Sequence, residues 1–168
     1  MGQTLNSIRK KHGLKPVTHR VRGFEVVNRM ETPVKLPKRG SIHSAGYDIY
    51  AYDDYEIEPK QSVLIKTGVK AYMPKDEYLD LRVRSSLGIK RQLMLATGAS
   101  VIDADYYNNP DNEGEIMVVL YNYGGETQTI EAGERIVQGI FTKYFLADND
   151  DTTDERTGGT GSTNRVNK

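Results

Sequence analysis

Residues 78–84 read Tyr78-Leu79-Asp80-Leu81-Arg82-Val83-Arg84. Leu79, Leu81 and Val83 alternate with Asp80, Arg82 and Arg84, the two-residue period of a strand that buries one face. Residues 62–67, 115–121 and 136–142 are further strand candidates, rich in β-branched and aromatic side chains. Gly68, Pro74, Gly88, Gly98, Gly114, Gly124, Gly125 and Gly133 punctuate these runs and are read as turns. No window carries a long apolar stripe at the helical period, and residues 4–11 alone read as a short helix. Short strands at this spacing predict an all-β sandwich or barrel.

A chain of 168 residues is expected to form one domain. At that size a chain buries roughly 70% of its unfolded surface, enough for a core without cross-links. Ordered sequence is expected from about Phe24 to about Leu146. The reading is therefore a flexible basic arm over 1–22, a β domain over 23–146 and a flexible C-terminal arm over 147–168. Residues 1–40 hold ten Lys/Arg against two Glu, and residues 41–168 hold 13 against 21 carboxylates, so the overall balance of zero hides a basic start. Such an arm suits contact with nucleic acid as well as simple solvation. Residues 147–155 contain five carboxylates and no large apolar side chain. The Gly-rich run that follows offers backbone N–H groups to an anion.

The absence of Cys excludes disulfides, thiolate metal sites and a Cys nucleophile. His12, His19 and His43 share no metal-binding spacing. No apolar run reaches the roughly 20 residues of a membrane span, and no signal peptide is read. Asn6 breaks the myristoylation pattern. The expectation is a soluble, cytoplasmic protein with no membrane partner.

Five short segments carry the chemistry: Ala45-Gly46-Tyr47-Asp48-Ile49-Tyr50-Ala51, Arg84-Ser85-Ser86-Leu87-Gly88, Val101-Ile102-Asp103-Ala104-Asp105-Tyr106, Gly133-Glu134-Arg135-Ile136-Val137-Gln138 and Gly158-Gly159-Thr160-Gly161-Ser162-Thr163. Read alone, Asp48 is an exposed strand carboxylate, and Arg84 with two hydroxyls at a strand end is a weak phosphate site. Asp103 and Asp105 lie two apart, on one face of an extended segment, as a metal pair or a solvated turn. In order and spacing the five segments closely resemble the motifs of the trimeric deoxyuridine triphosphatases (dUTPases), over residues 24–164, with a member of phage or Gram-positive type the expectation.

That resemblance implies a homotrimer of distorted jelly-roll subunits that hydrolyses dUTP to dUMP and pyrophosphate with Mg²⁺. It implies sites built from all three chains, with the C-terminal arm exchanged between subunits. It assigns Asp48 to the hydrated Mg²⁺, and such an ion characteristically keeps its waters and is shared with substrate phosphates. Asp103 becomes the general base on the attacking water. Ser85 and Ser86 fall at the phosphates, and Arg84 orients Asp103 or the phosphates. Tyr106 lies beneath the deoxyribose and excludes a 2′-hydroxyl, while Thr97 borders the uracil pocket in place of the usual Asn. Gln138 bonds near the phosphates, with Arg135 as an intersubunit ion-pair partner. Arg156 clamps the γ-phosphate, and Gly159, Gly161, Ser162 and Thr163 wrap the triphosphate.

The chain departs from the family at several positions. Thr160 replaces the Phe that stacks on uracil, and Asn164 replaces a Gly. Residues 107–113 form a polar insertion where the family has a single residue, with Tyr107 a candidate replacement for the lost stacking ring. The related dCTP deaminases share the fold and the Arg-Ser-Ser motif, but Val119 stands where their catalytic Glu falls. A regulatory protein partner is a further alternative, suggested by the basic arm, the insertion and the repressor-binding phage members of the family.

Overall fold

Leu79 and Leu81 are fully buried, as their alternation predicts, and they sit at the centre of an antiparallel sheet. The structure, a computed structural model, describes residues 5–14 and 20–159. A short helix α1 (Leu5–Lys11) is followed by β1 (Gly23–Val26), β2 (Lys38–Arg39), β3 (Tyr47–Tyr50), β4 (Tyr55–Ile57), β5 (Ser62–Tyr72) and β6 (Glu77–Val83). After helix α2 (Ser85–Arg91) come β7 (Leu93–Leu95), β8 (Ser100–Asp103), a 3₁₀ turn (Ala104–Tyr106), β9 (Glu115–Asn122), β10 (Gln128–Ile130) and β11 (Arg135–Lys143). The strands form a four-stranded sheet, β1-β5-β9-β7, a five-stranded sheet, β2-β3-β11-β6-β8, and the ribbon β10-β4.

Both larger sheets feed one core: Ile65, Ile116, Val118 and Leu120 from the first meet Ile49, Leu79, Leu81 and Ile136 from the second. Strand β9 alternates as β6 does, with Ile116, Val118 and Leu120 inward and Met117, Val119 and Tyr121 half-buried. The architecture is all-β, as the strand pattern predicts, and of the distorted jelly-roll class that the family resemblance implies. Among the described residues, no helix is long and apolar enough to cross a membrane.

Two glycines depart from their reading as turns. Gly68 lies inside β5, where the pairing with β9 slips between Lys66 and Lys70. Its φ of +69° and its N–H, donated to buried Glu115 at 2.9 Å, mark a bulge within one long strand. Gly88 lies inside α2, which buries Leu87 and ends at Gln92 in the left-handed conformation, φ +54°. Packing of Leu87 outweighs the roughly 1 kcal/mol that Gly costs a helix. So the turn falls four residues later than the glycine suggests.

The body is tied ahead of β1 by two ion pairs. Arg20 meets Glu25 at 2.7 Å, and Arg22 donates Nε and Nη2 to the two oxygens of Glu77 at 2.8 and 2.7 Å. Hydrogen bonding from Arg22 holds the Glu77 carboxyl below its usual range. A depressed folded pKa stabilises the protein above the unfolded carboxylate range, about pH 4.3, and that contribution is lost as pH falls through the folded value. Thermal melting from about pH 6 down to 3 is therefore expected to show Tm falling more gently in Glu77→Gln than in wild type. Parallel Tm curves would show that the pair contributes nothing.

Candidate active site

At one corner of the five-stranded sheet, β3 sets Asp48 opposite Lys38 of β2 and Gln138 of β11. Asp48 is 8% exposed. Its Oδ1 accepts a hydrogen bond from Arg84 Nη1, and Arg135 Nη1 stands 3.4 Å from Oδ2. Gly46 lets the Gln138 side chain lie against the backbone, since a Cβ there would stand 2.6 Å from Gln138 Oε1. Ser85 and Ser86 are exposed at the start of α2, next to Arg84. Cations, hydroxyls and an amide at one corner suit recognition of phosphate oxygens.

Within one chain Arg84 pairs with Asp48 and stands apart from Asp103. The reason is the strand: Asp103 pairs with Tyr78, six residues back along β6, about 20 Å at the usual rise per residue. Arg135 likewise has a partner within its own chain.

The second corner forms at the far end of β6. Strand β8 ends at Asp103 and passes into the 3₁₀ turn, so Asp103 and Asp105 do not share an extended face as expected. Their carboxylates are instead brought together by Arg156, whose Nη2 donates to Asp103 Oδ2 at 2.7 Å and Nε to Asp105 Oδ1 at 2.8 Å. Both carboxylates stay more than half exposed, whereas the Arg156 side chain is 11% exposed. Burial opposes the charge on Arg156, but the bond to Asp105 and the fields of both carboxylates outweigh it and raise its pKa.

The guanidinium stands 5.6 Å from the centroid of the Tyr106 ring, which is buried. Tyr106 Oη donates to the Glu115 carbonyl at 3.2 Å and accepts from Asn112 Nδ2 at 2.7 Å. Asp103, Tyr106, Arg156, Thr97, Leu64 and Val119 line a cleft of about 370 Å³. Thr97 sits at its exposed rim, 2.9 Å from the Ser100 hydroxyl. Val119 leaves the cleft wall apolar where a deaminase would need an acid.

The insertion at 107–113 is folded by its own side chains. Asn109 Nδ2 donates to the Tyr106 carbonyl at 2.9 Å and to Asn112 Oδ1 at 2.7 Å. Asn109 Oδ1 accepts from the N–H groups of Asp111 and Asn112 at 3.1 and 3.2 Å. Lys70, itself buried, donates to Asn108 Oδ1 at 2.6 Å, and Glu113 accepts from the Asn28 N–H at 2.8 Å. Gly114 closes the insertion with φ +78°, and a Cβ there would stand 2.5 Å from the Tyr106 carbonyl oxygen. Tyr107 is not a replacement stacking ring: its hydroxyl bonds Glu25 and Arg20, and its ring tilts against Tyr72, away from the cleft.

Asp48, Arg84, Ser85, Ser86 and Gln138 thus gather at one corner, and Thr97, Asp103, Tyr106, Arg156 and Gly159 at the other. Thr160, Gly161, Ser162, Thr163 and Asn164 lie outside the described residues. Three strand spacings, β3 to β11 to β6 to β8, and four residues along β6 separate Asp48 from Asp103. That is roughly 20 Å, too far for both to serve the same phosphate. Sequence reading missed Asn112, which fixes Tyr106, and named Asp105 without the Arg156 it shares with Asp103. The Asn-rich composition of the insertion was the available signal for the first.

A profile of the dUTPase family matches residues 32–164. The chain is 47% identical to the deoxyuridine 5′-triphosphate nucleotidohydrolase of Lactococcus lactis subsp. lactis over 147 residues, covering 86% of this chain and 98% of that one. It superposes on the crystal structure of dUTPase from Streptococcus mutans with a TM-score of 0.72 at 46% identity, covering 75% of this chain and 98% of that one. The dUTPase from phage phi11 of S. aureus, at 19% identity, shares the fold with a TM-score of 0.65, over 80% of this chain and 97% of that one. With the profile spanning most of the β strands and a relative this similar along its whole length, the chain belongs to the dUTPase family of deoxyuridine 5′-triphosphate nucleotidohydrolases.

Proposed function

We propose that this chain hydrolyses dUTP to dUMP and pyrophosphate, which keeps uracil out of DNA and supplies dUMP for dTMP synthesis in the cytoplasm. The observation that carries the reading is the cleft in which the Asp103 carboxylate stands at an exposed rim beside the buried Tyr106 ring, with Arg156 between them. Asp103 holds a water by hydrogen bonding and takes its proton as the water oxygen attacks the α-phosphorus. The bond from that phosphorus to the α,β-bridging oxygen breaks, and pyrophosphate leaves. Arg156 exchanges Asp103 for the γ-phosphate as nucleotide enters, which frees the carboxylate for the water. Tyr106, fixed by Asn112 and the Glu115 carbonyl, presents a flat face to the sugar, and Thr97 borders the base.

The corner of Asp48, Arg84, Ser85, Ser86 and Gln138 binds the phosphates of a nucleotide whose sugar lies on another copy. The separation of Asp48 from Asp103 supports that reading, and with it a homotrimer whose sites are shared between subunits; exchange of the C-terminal arms, residues 147–168 including Gly161, Ser162 and Thr163, would carry Arg156 and Gly159 from their own chain's Asp103 and Asp111 to the same groups of a neighbouring copy. Among the described residues no cluster of three or more His, Asp or Glu is arranged to hold a metal directly. Asp48 has both oxygens already facing guanidinium groups, but a carboxylate offers about four acceptor positions, so it fits an outer contact to a hydrated Mg²⁺. When bound, that ion neutralises charge on the triphosphate.

The test is pyrophosphate release from dUTP, UTP, dTTP and dCTP, with and without Mg²⁺, alongside ammonia release from dCTP. Strong preference for dUTP with no ammonia is expected; ammonia from dCTP would replace this reading by deamination. Asp103→Asn should lower kcat by roughly 10²–10⁴-fold with little change in nucleotide affinity. Near-normal turnover would remove Asp103 as the base. Tyr106→Ala should narrow the preference for dUTP over UTP in kcat/KM, and an unchanged ratio would assign sugar selection elsewhere.

A further inference from the structure

We propose that Arg29 is a positioning residue for sugar selection, because it braces two residues whose groups bond the Tyr106 hydroxyl. The inference rests on the dUTP hydrolysis proposed above, in which the Tyr106 ring excludes a 2′-hydroxyl, and it names what keeps that ring in place. Arg29 does not line the cleft. It follows β1 in a turn closed by the Met30 N–H on the Val27 carbonyl at 3.3 Å. From there its guanidinium reaches residues 83 and 86 positions further along the chain. Nη1 donates to the Asn112 carbonyl at 3.0 Å, and Nη2 donates to the Glu115 carboxylate. Asn112 Nδ2 in turn donates to Tyr106 Oη, and the Glu115 carbonyl accepts the Tyr106 O–H. One guanidinium thus ties the main chain of Asn112 to the side chain of Glu115, on either side of the hydroxyl that fixes the ring.

The brace is anchored in the body of the sheet. The Glu115 side chain has no exposure, so its charge is retained only with a partner such as Arg29. Its other oxygen accepts from the Gly68 N–H at the β5 bulge, at 2.9 Å. The planar fork of Arg holds two acceptors in a set geometry, which the single ammonium of Lys does not reproduce. Exclusion of a hydroxyl by contact requires a wall that does not yield. A ring free to shift by about an ångström would admit the 2′-oxygen of UTP, whereas dUTP, with no oxygen there, loses little. Arg29 therefore acts on the ratio between the two substrates and not on the chemical step. These contacts all lie within the β body of one chain, so exchange of the C-terminal arms leaves them unchanged.

The experiment measures kcat/KM for dUTP and UTP in the full chain carrying Arg29→Lys or the pair Arg29→Met/Glu115→Gln, each with and without Tyr106→Phe. The paired variant leaves no unpaired charge, and Gln at 115 still offers an oxygen to the Gly68 N–H, so the fold is kept. It should narrow the dUTP/UTP ratio about tenfold, mainly by raising UTP turnover, with kcat for dUTP within about threefold of wild type. Arg29→Lys should lie between, since it keeps the charge beside Glu115 and loses the bond to the Asn112 carbonyl. In the Tyr106→Phe background neither change should narrow the ratio further, because the hydroxyl through which the brace acts is gone. Amide exchange at Gly114, whose N–H donates to Asn112 Oδ1 at 3.0 Å, should be faster in the paired variant than in wild type. Equal losses on both substrates, a further narrowing on top of Tyr106→Phe, or unchanged exchange at Gly114 would overturn the role of Arg29 alone. A wild-type enzyme indifferent between dUTP and UTP would instead overturn the sugar role of Tyr106, and this inference with it.

Discussion

The rest of the structure depends on the register of β6, which pairs with β11 from Glu77 to Val83 and with β8 from Tyr78 to Leu81. Leu79 and Leu81 point into the core with no exposure. A slip of one residue would turn Asp80 and Arg82 inward, and burying unpaired charge costs far more than any local rearrangement returns. The register is thus pinned, and with it both ends of the strand. One end delivers Arg84 to Asp48, and the other sets Asp103 beside the turn that carries Tyr106.

Each acidic group of the site stands against a guanidinium. Asp48 has Arg84 and Arg135, and Asp103 shares Arg156 with Asp105. An ion pair with an exposed partner contributes little net stability, so a polyphosphate can replace the carboxylate at modest cost. In the proposed reaction Arg156 has two sets of partners of the same sign, and exchange between them would couple closure of the C-terminal segment to release of the Asp103 carboxylate.

The strands at 78–84, 115–121 and 136–142 were legible because alternation is a local property, and tertiary pairing did not contradict it. The bulge at Gly68 and the helix around Gly88 were not. Each is decided by a distant contact, Glu115 for the first and the burial of Leu87 for the second. The site was legible to the same extent. Asp103, Tyr106 and Thr97 could be named from linear motifs, and they line one cleft. Their charge partners could not be assigned, because Arg84 is 36 residues from Asp48 and Arg156 is 53 from Asp103. The insertion read as a polar loop, although Asn109 and Asn112 give it a defined hydrogen-bonded form.

The central claim is that the two corners of the sheet serve one nucleotide only across different copies of the chain. Mixing two inactive variants, Asp103→Asn and Ser85→Ala/Arg84→Ala, under conditions that exchange subunits tests it most directly. If sites are shared, a 1:1 mixture assembles about a quarter of its sites from one intact corner of each kind, and pyrophosphate release from dUTP returns to roughly that fraction of wild type. If each chain completes its own site, the mixture stays at the average of the two separate variants, and the account of a divided site is wrong.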